Sequence, residues 1–206
     1  MRLILIRHGA TEYSRARRYC GFSDPPLNDE GIRQSRQLAA RLKGMRIDRV
    51  YSSDLRRARQ TAEIVFPQDA IERAADWREM DFGLFEGLTH EQIMQRYPTL
   101  YRDWIRNPLE VRIPEGEGLP DLRRRVRESI FAAVSQHEHG TVAVVTHGGP
   151  IRVALCDALP LGPALFWQVE QALGAWSAID YAAGAPGAVI VRNEVSHLAA
   201  WEAGVA

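Results

Sequence analysis

Two histidines that could carry chemistry each follow a short apolar run and precede a glycine. His8 comes after Leu3–Ile6 and one arginine, and His147 comes after Val142–Val145 and one threonine. A neutral imidazole is a nucleophile, and a protonated one stabilises negative charge. Glycine lets the backbone approach a bound anion closely. The pair therefore indicates that a histidine attacks a phosphate ester.

Both apolar runs are typical of buried strands, which are short and bounded by polar residues. The chain then alternates between helix and strand: a helix from the N-cap Asn28 to Gly44, a strand at 50–52, and a helix at about 55–65 that stops before Pro67. This alternation predicts an α/β fold, a three-layer α/β/α sandwich with a mostly parallel central sheet. Ligands bind at the carboxyl ends of the strands in such sheets. If the two histidine strands are neighbours, their imidazoles meet in one crevice.

The rest of the chain contains one irregular stretch and further regular elements. Residues 76–120 hold several aromatic side chains among glycines, prolines and short helical patterns, as lids and substrate walls often do. Helices are expected at about 121–136 and 150–159, and strands at 175–181 and 188–195. We see no linker or internal repeat. We therefore predict one domain over residues 1–206, with 76–120 as a substrate wall or lid.

Donors for a phosphate group follow the same strand ends. Arg7 precedes His8, and the strand end at 52–54 leads into a helix with arginines at positions 56, 57 and 59. At 100° per residue these three arginines cannot face one way, so we expect one of them to reach the site. Gly148 and Gly149 open a helix, whose N-terminal amides favour an anion. Taken singly, each feature has a structural interpretation: an exposed helix face, or a hydrogen-bonded histidine in the fold.

Composition argues against several classes of partner. Lys+Arg and Asp+Glu both number 26, so no charge excess favours nucleic acid, membrane or acidic partners. Cys20 and Cys156 form neither a disulfide framework nor a metal-ligand spacing. No apolar run approaches the roughly 18 residues of a membrane span. We expect a cytoplasmic monomer or homodimer that takes a small-molecule phosphomonoester and binds neither nucleic acid nor membrane.

In combination, the motifs resemble those of the histidine phosphatase superfamily, also called the phosphoglycerate mutase-like family. Four motifs match in the family's order: Arg7–Glu12, Ser52–Thr61, Glu79–Gly87 and Val145–Gly149. The resemblance spans essentially the whole chain. It implies a phosphoglycerate mutase-like fold and a phosphatase that hydrolyses phosphomonoesters through a phosphohistidine.

The resemblance also implies a role for each catalytic residue. His8 attacks phosphorus, while Arg7, Arg57 and a protonated His147 stabilise the charge on the phosphoryl oxygens. Glu79, an ordinary surface carboxylate by sequence alone, gives a proton to the leaving alkoxide and later takes one from water. No metal or cofactor is required, because two arginines and two histidines already supply positive charge. The other candidate phosphate-binding residues are Ser14, Cys20, Gly21 and Gly148.

The sequence departs from the family pattern at three places. Ala10 and Ser14 stand where the family often has glutamate and asparagine, and Gly116-Glu117-Gly118 stands where many members read Gly-Glu-Ser. The shorter serine side chain puts in doubt whether Ser14 reaches the phosphate. The missing serine after Glu117 removes a possible helix-capping hydroxyl.

The length of the chain favours the shorter phosphatases of the family over its mutases. The opening Met1-Arg2-Leu3, the stretch at 116–118 before an Arg-rich helix, and the stretch at 174–180 are similar to the branch that hydrolyses α-ribazole 5′-phosphate in cobalamin synthesis. Phe85, Tyr101 or Trp104 could stack on the benzimidazole base of that substrate, or could pack in the core instead.

Other functions remain open at this point. Within the family, these are a broad-specificity phosphomonoesterase and a mutase-type phosphotransferase, which would depend on a bisphosphorylated primer. From another class, the chain could be a non-catalytic protein that binds a phospholigand, against which the complete set of catalytic residues argues. A zinc site at His137, Glu138 and His139 is disfavoured by its ligand spacing.

Overall fold

The computed structural model describes residues 1–137, 139–159, 162–182 and 187–199. Within those ranges six strands form one sheet: β1 (Arg2–Arg7), β2 (Arg49–Ser53), β3 (Ile71–Ala74), β4 (Thr141–Thr146), β5 (Trp176–Asp180) and β6 (Ala188–Glu194). The α-helices there are α1 (Glu12–Arg15), α2 (Asp29–Leu42), α3 (Arg56–Val65), α4 (His90–Arg96), α5 (Pro98–Arg106), α6 (Leu119–Gln136), α7 (Gly148–Ala158) and α8 (Ser196–Ala199). Three 3₁₀ helices lie at Ala75–Trp77, Gly83–Phe85 and Pro163–Gln168.

The strands are ordered β3-β2-β4-β1-β5-β6, so strands from opposite ends of the chain are neighbours. The first four strands in this order are parallel, and β5 and β6 pair antiparallel at the far edge. Within the β1–β4 pair, Arg7 is opposite Thr146. The next residue of each strand is a histidine, so both reach the same edge of the sheet. The prediction of a mostly parallel central sheet is confirmed.

Helices cover both faces of the sheet because alternate strand side chains point to opposite sides. On one face, Ile4 and Ile6 of β1 pack with Leu38 of α2 and Ala58 of α3. On the other, Leu3 and Leu5 belong to a second cluster with apolar residues of α6 and α7. These four apolar side chains of β1 are fully buried. The three-layer arrangement therefore follows from an uninterrupted apolar strand, as expected of parallel sheets.

Local signals set the ends of the elements. Asn28 accepts a hydrogen bond from the amide of Gly31 at 2.9 Å, which caps α2 as predicted. Gly44 has φ +83°, a conformation that glycine adopts without strain and that stops the helix. β3 was not predicted, because its sequence Ile-Glu-Arg-Ala has little apolar pattern. The predicted strands at the C-terminal end are found as β5 and β6, and most of the segment between them, 183–186, lies outside the described residues.

The aromatic segment 76–120 divides between core and cavity. Phe85 and Trp104 are fully buried, with ring centroids 5.7 Å apart, inside the main apolar cluster. The suggestion that either could stack on a substrate is therefore wrong, because packing removes both rings from solvent. Tyr101 and Phe82, in contrast, line the cavity described below. The segment's role as a substrate wall or lid stays a prediction.

Across the described ranges, no helix is long and apolar enough to cross a membrane.

Candidate active site

The two predicted histidines meet at the carboxyl ends of β1 and β4. Their ring centroids are 5.0 Å apart, with an interplanar angle of 62°. A cavity of about 460 Å³ opens beside His8. Six of the predicted site residues line it: Arg7, His8, Ser14, Cys20, Glu79 and Gly148. Arg57 and His147 are fully buried next to His8 and do not line the cavity.

Hydrogen bonds fix the protonation state of His8. Its Nδ1 is 2.7 Å from the carbonyl oxygen of Gly9, so Nδ1 carries the proton. Its Nε2 is therefore unprotonated and accepts a hydrogen bond from Nε of Arg57 at 3.2 Å. Burial, with the charges of Arg57 and Arg7, lowers the pKa of His8 well below 6.5. His8 thus presents a nucleophilic lone pair at neutral pH.

Arg57 is the arginine of α3 that reaches the site. Its guanidinium donates to the carbonyl oxygens of Ser23 at 2.7 Å, Gly21 at 2.8 Å and Cys20 at 3.1 Å. Arg56 is exposed and Arg59 pairs with Glu63 on the outside of the helix, as the 100° spacing predicted. The three carbonyls hold the buried cation against His8.

Arg7 is a second, partly buried cation at the site. It donates to the carbonyl oxygen of Gln171, and its Nε has no hydrogen-bond partner among the described residues. Burial lowers the pKa of Arg7 to about 10, which leaves it charged at neutral pH. A buried donor without a partner is costly. The arrangement suits an oxyanion, which would satisfy that donor.

His147 differs from its expected protonated state. Burial, followed by the charge of Arg57, lowers the pKa of His147 well below 6.5, so the ring is neutral in this structure. Its Nε2 is 2.9 Å from Oγ of Ser53, and its buried Nδ1 has no partner among the described residues. Ser53 Oγ accepts from the amide of Leu55 at 3.2 Å, and among the described residues Nε2 of His147 is the acceptor within reach of its hydroxyl hydrogen, so we infer that Ser53 donates to Nε2. The proton of His147 then resides on Nδ1, and a neutral ring can still donate to a phosphoryl oxygen.

Glu79 is held by the N-terminus of α7. Its carboxylate accepts from the amide of Gly149 at 3.0 and 3.2 Å and from the amide of Met80 at 2.9 Å. A Cβ at position 149 would lie 2.2 Å from Oε1 of Glu79, so only glycine admits the carboxylate this close. The expectation that this helix end serves phosphate needs correction at Gly149, whose amide is taken by Glu79.

The remaining phosphate-binding candidates occupy different positions. The Ser14 hydroxyl donates to the carbonyl of Thr11 at 2.8 Å as part of the cap of α1, at the cavity wall. Cys20 lines the cavity, and the amide of Gly21 donates to Glu86 at 2.9 and 3.0 Å. A Cβ added at Gly148 would lie 3.5 Å from Cζ of Arg7. Gly21 and Cys20 thus contribute to the site mainly through their carbonyls, which hold Arg57.

Comparison with known proteins gives the family. The model of the histidine phosphatase superfamily (branch 1) matches residues 3–194. The chain belongs to the histidine phosphatase superfamily.

Individual relatives span several named activities. Phosphoserine phosphatase 1 of Hydrogenobacter thermophilus is 33% identical over 81% of this chain and 80% of its own length. The adenosylcobalamin/alpha-ribazole phosphatase of Escherichia coli is 34% identical over 87% of this chain and 90% of its own. Among solved structures, Bacillus stearothermophilus YhfR superposes with a TM-score of 0.90 at 30% identity, over 96% of this chain and 98% of that one. The predictions of a phosphoglycerate mutase-like fold and a histidine-type phosphatase are confirmed, and the substrate is not fixed by these names.

Sequence reasoning missed two residues that hold the segment around Glu79 in place. Arg125 of α6 donates to the carbonyl oxygens of Asp76, Arg78 and Glu79 at 2.7 to 2.8 Å. Glu117 pairs with Arg125 at 2.8 Å and accepts from the amide of Asp81 at 3.1 Å. In the sequence, Glu117 could have been singled out because it lies between two glycines. Arg125 could not, because it is one of several arginines close together in α6 and nothing in the sequence distinguishes it.

The zinc alternative gains no support from the part of the chain that the structure describes. No group of three or more His, Cys, Asp or Glu side chains there is arranged to hold a metal ion. Glu138, one of the three proposed ligands, lies outside the described residues.

Proposed function

We propose that this histidine phosphatase hydrolyses phosphomonoesters of small-molecule alcohols through a phosphohistidine on His8. One observation carries the proposal: the unprotonated Nε2 of His8 lies 3.2 Å from Nε of the buried Arg57, beside a cavity that Arg7 and Glu79 also line. A nucleophile, cations for an oxyanion and a carboxyl group for proton transfer thus surround one cavity.

In the first step, Nε2 of His8 attacks phosphorus and the bond from phosphorus to the alcohol oxygen breaks. Arg7 and the Nδ1–H of His147 donate to the non-bridging oxygens, and the Nε–H of Arg57, released when the Nε2 lone pair of His8 bonds to phosphorus, donates there as well. Such donation is the main assistance a protein gives to phosphoryl transfer. Glu79 in its acid form gives its proton to the leaving oxygen. The bond from Nδ1 of His8 to the Gly9 carbonyl keeps the ring oriented while it gains positive charge.

In the second step, water attacks the phosphohistidine from the side the alcohol has left. Glu79, now a carboxylate, takes a proton from that water, and the nitrogen–phosphorus bond breaks. Inorganic phosphate leaves, and the lone pair on Nε2 of His8 is restored. The same carboxyl group serves both steps because Gly149 and Met80 hold it in place.

For the substrate, α-ribazole 5′-phosphate is one candidate. Its support is the named activity of the E. coli relative, together with the aromatic side chains of Phe82, Tyr101 and Trp167 around the cavity. A volume of about 460 Å³ falls within the range of pockets for ligands of this size. The competing candidate, a carboxylated ester, follows from a further cation that is treated in the next subsection.

A substrate screen tests the proposal. The purified protein is assayed against α-ribazole 5′-phosphate, phosphoserine, 3-phosphoglycerate and p-nitrophenyl phosphate, without a bisphosphorylated primer. We expect release of inorganic phosphate from at least one metabolite, and a loss of at least about 1,000-fold in His8→Ala. No turnover of any ester would favour a non-catalytic binding protein, and a need for primer would favour a mutase.

A further inference from the structure

A third arginine, partly buried and not used by the phosphoryl-transfer mechanism, lines the same cavity. Arg152 lies on α7, one turn after Gly148 and so on the same face of the helix. Its Nε donates to the carbonyl oxygen of Val169 at 2.8 Å. Its guanidinium carbon lies 5.8 Å from the ring centroid of Phe166 and 5.9 Å from that of Trp167.

Arg152 has a charge that the protein does not pair. Among the described residues, no carboxylate lies within ion-pair distance of it, whereas most arginines of α6 are paired in this way. Its two terminal nitrogens make no hydrogen bond to those residues and retain accessible surface. Burial lowers the pKa of Arg152, opposed by the charge of Glu79. A partly buried cation with free donors is costly unless a ligand pairs with it.

The position of Arg152 sets what it can reach. A Cβ added at Gly148 would lie 3.5 Å from Cζ of Arg7, the cation assigned to the phosphate. Four residues of helix carry the chain about 6 Å along its axis, at 1.5 Å per residue. Because both arginines line one cavity, a group bound by Arg152 can belong to the same molecule as a phosphate held by Arg7. An ester whose alcohol carries the group two or three carbons from the ester oxygen is the case to test.

We propose that Arg152 is a specificity residue that binds a carboxylate on the alcohol half of the substrate. The bond to Val169 and the two aromatic rings fix the guanidinium, so its two terminal N–H groups present a pair of donors matched to the two oxygens of a carboxylate.

This inference rests on the proposed phosphatase function, and it favours a carboxylated ester over α-ribazole 5′-phosphate. Two matched pairs of esters test it: 3-phosphoglycerate with glycerol 3-phosphate, and phosphoserine with phosphoethanolamine. Each pair keeps the carbon chain next to the ester and differs in the carboxylate. We expect kcat/KM to be about 30- to 100-fold higher for the carboxylated member, as charge-assisted hydrogen bonds imply.

Variants separate recognition from folding. Arg152→Met should lower kcat/KM for the carboxylated esters to the level of their partners without a carboxylate. It should change kcat/KM for those partners less than about threefold. Arg152→Lys should retain part of the preference, because the charge remains without the paired donors. Arg127→Met, which removes an exposed arginine of α6, should leave the preference unchanged. Inhibition by inorganic phosphate should be the same in all four proteins, which shows that the phosphate site is intact.

Three results would overturn the inference. One is that the wild type turns over the member of each pair without a carboxylate equally well or better. Another is turnover of α-ribazole 5′-phosphate far above that of every carboxylated ester. The third is an equal loss for both members of a pair in Arg152→Met with phosphate inhibition unchanged. If the wild type hydrolyses none of these esters and no p-nitrophenyl phosphate, the proposed function itself fails, and the inference with it.

Discussion

Gly149→Ala should remove most of the proton transfer by Glu79 while leaving the nucleophile in place. The added Cβ would lie 2.2 Å from Oε1 of Glu79, and ordinary contact begins at about 3.4 Å. The Glu79 carboxylate must therefore move away by about 1.2 Å, since the backbone of α7 that carries the new Cβ cannot move. That movement breaks the two hydrogen bonds from the Gly149 amide.

The size of the effect follows from the displacement. A misplacement of about 1 Å costs on the order of 100-fold in rate, and general acid catalysis is worth about 100- to 10,000-fold in all. We expect kcat/KM for an alkyl phosphate to fall about 100-fold. For p-nitrophenyl phosphate, whose leaving group departs without a proton, we expect a fall of less than about fivefold.

The assay compares kcat/KM for the two esters in wild type, Gly149→Ala, Gly148→Ala and Glu79→Gln. Glu79→Gln should show the same dependence on the leaving group. A Cβ at position 148 would meet Arg7 Cζ at 3.5 Å and Oε2 of Glu79 at 3.6 Å, both ordinary contacts that leave the carboxylate in place, so any loss in Gly148→Ala should be equal for both esters. Equal losses for both esters in Gly149→Ala, or full activity toward the alkyl ester, would refute the role given to Glu79.

Two further predictions concern His147. Ser53→Ala should free the His147 ring from its Nδ1–H tautomer. Inhibition by inorganic phosphate should then weaken about tenfold, as loss of one hydrogen bond to a charged group implies. A ¹⁵N NMR spectrum of the wild type that places the proton on Nε2 would contradict this. Because burial lowers the pKa of His8 and His147, the unfolded chain takes up protons below pH 6.5 that the folded protein does not, and stability falls with decreasing pH. In denaturant unfolding between about pH 5.5 and 6.5, where the unfolded imidazole is partly protonated, His147→Gln should reduce this slope by about 1 kcal/mol per pH unit, and parallel wild-type and variant curves would count against a neutral buried ring.

The elements that carry the site follow from sequence because their signals are local. The apolar runs before His8 and His147 specify buried strands, and the spacing in α3 shows that only one of its arginines faces inward. The adjacency of β1 and β4 does not follow from local pattern, because most of the chain separates them and only the order of the sheet makes them neighbours. The family resemblance supplied the catalytic set that pattern alone left open.

What sequence reasoning missed depends on contacts between distant segments. The protonation of His147 could not be judged without its burial and the neighbouring Arg57. The amide of Gly149 was expected to meet phosphate, and only the fold brings Glu79 to it. Arg152 is one of many arginines in the sequence, and its distinction, a partly buried charge with no carboxylate beside it among the described residues, exists only in three dimensions.

The central claim is that phosphate passes through a covalent bond to His8. Brief incubation with a ³²P-labelled phosphomonoester that the enzyme turns over, followed by an alkaline quench and peptide mapping, tests it directly. The account predicts label on the peptide that contains His8, stable in alkali, lost in acid and absent from His8→Ala. Normal turnover in His8→Ala, or label that is stable in acid or attached elsewhere, would contradict it.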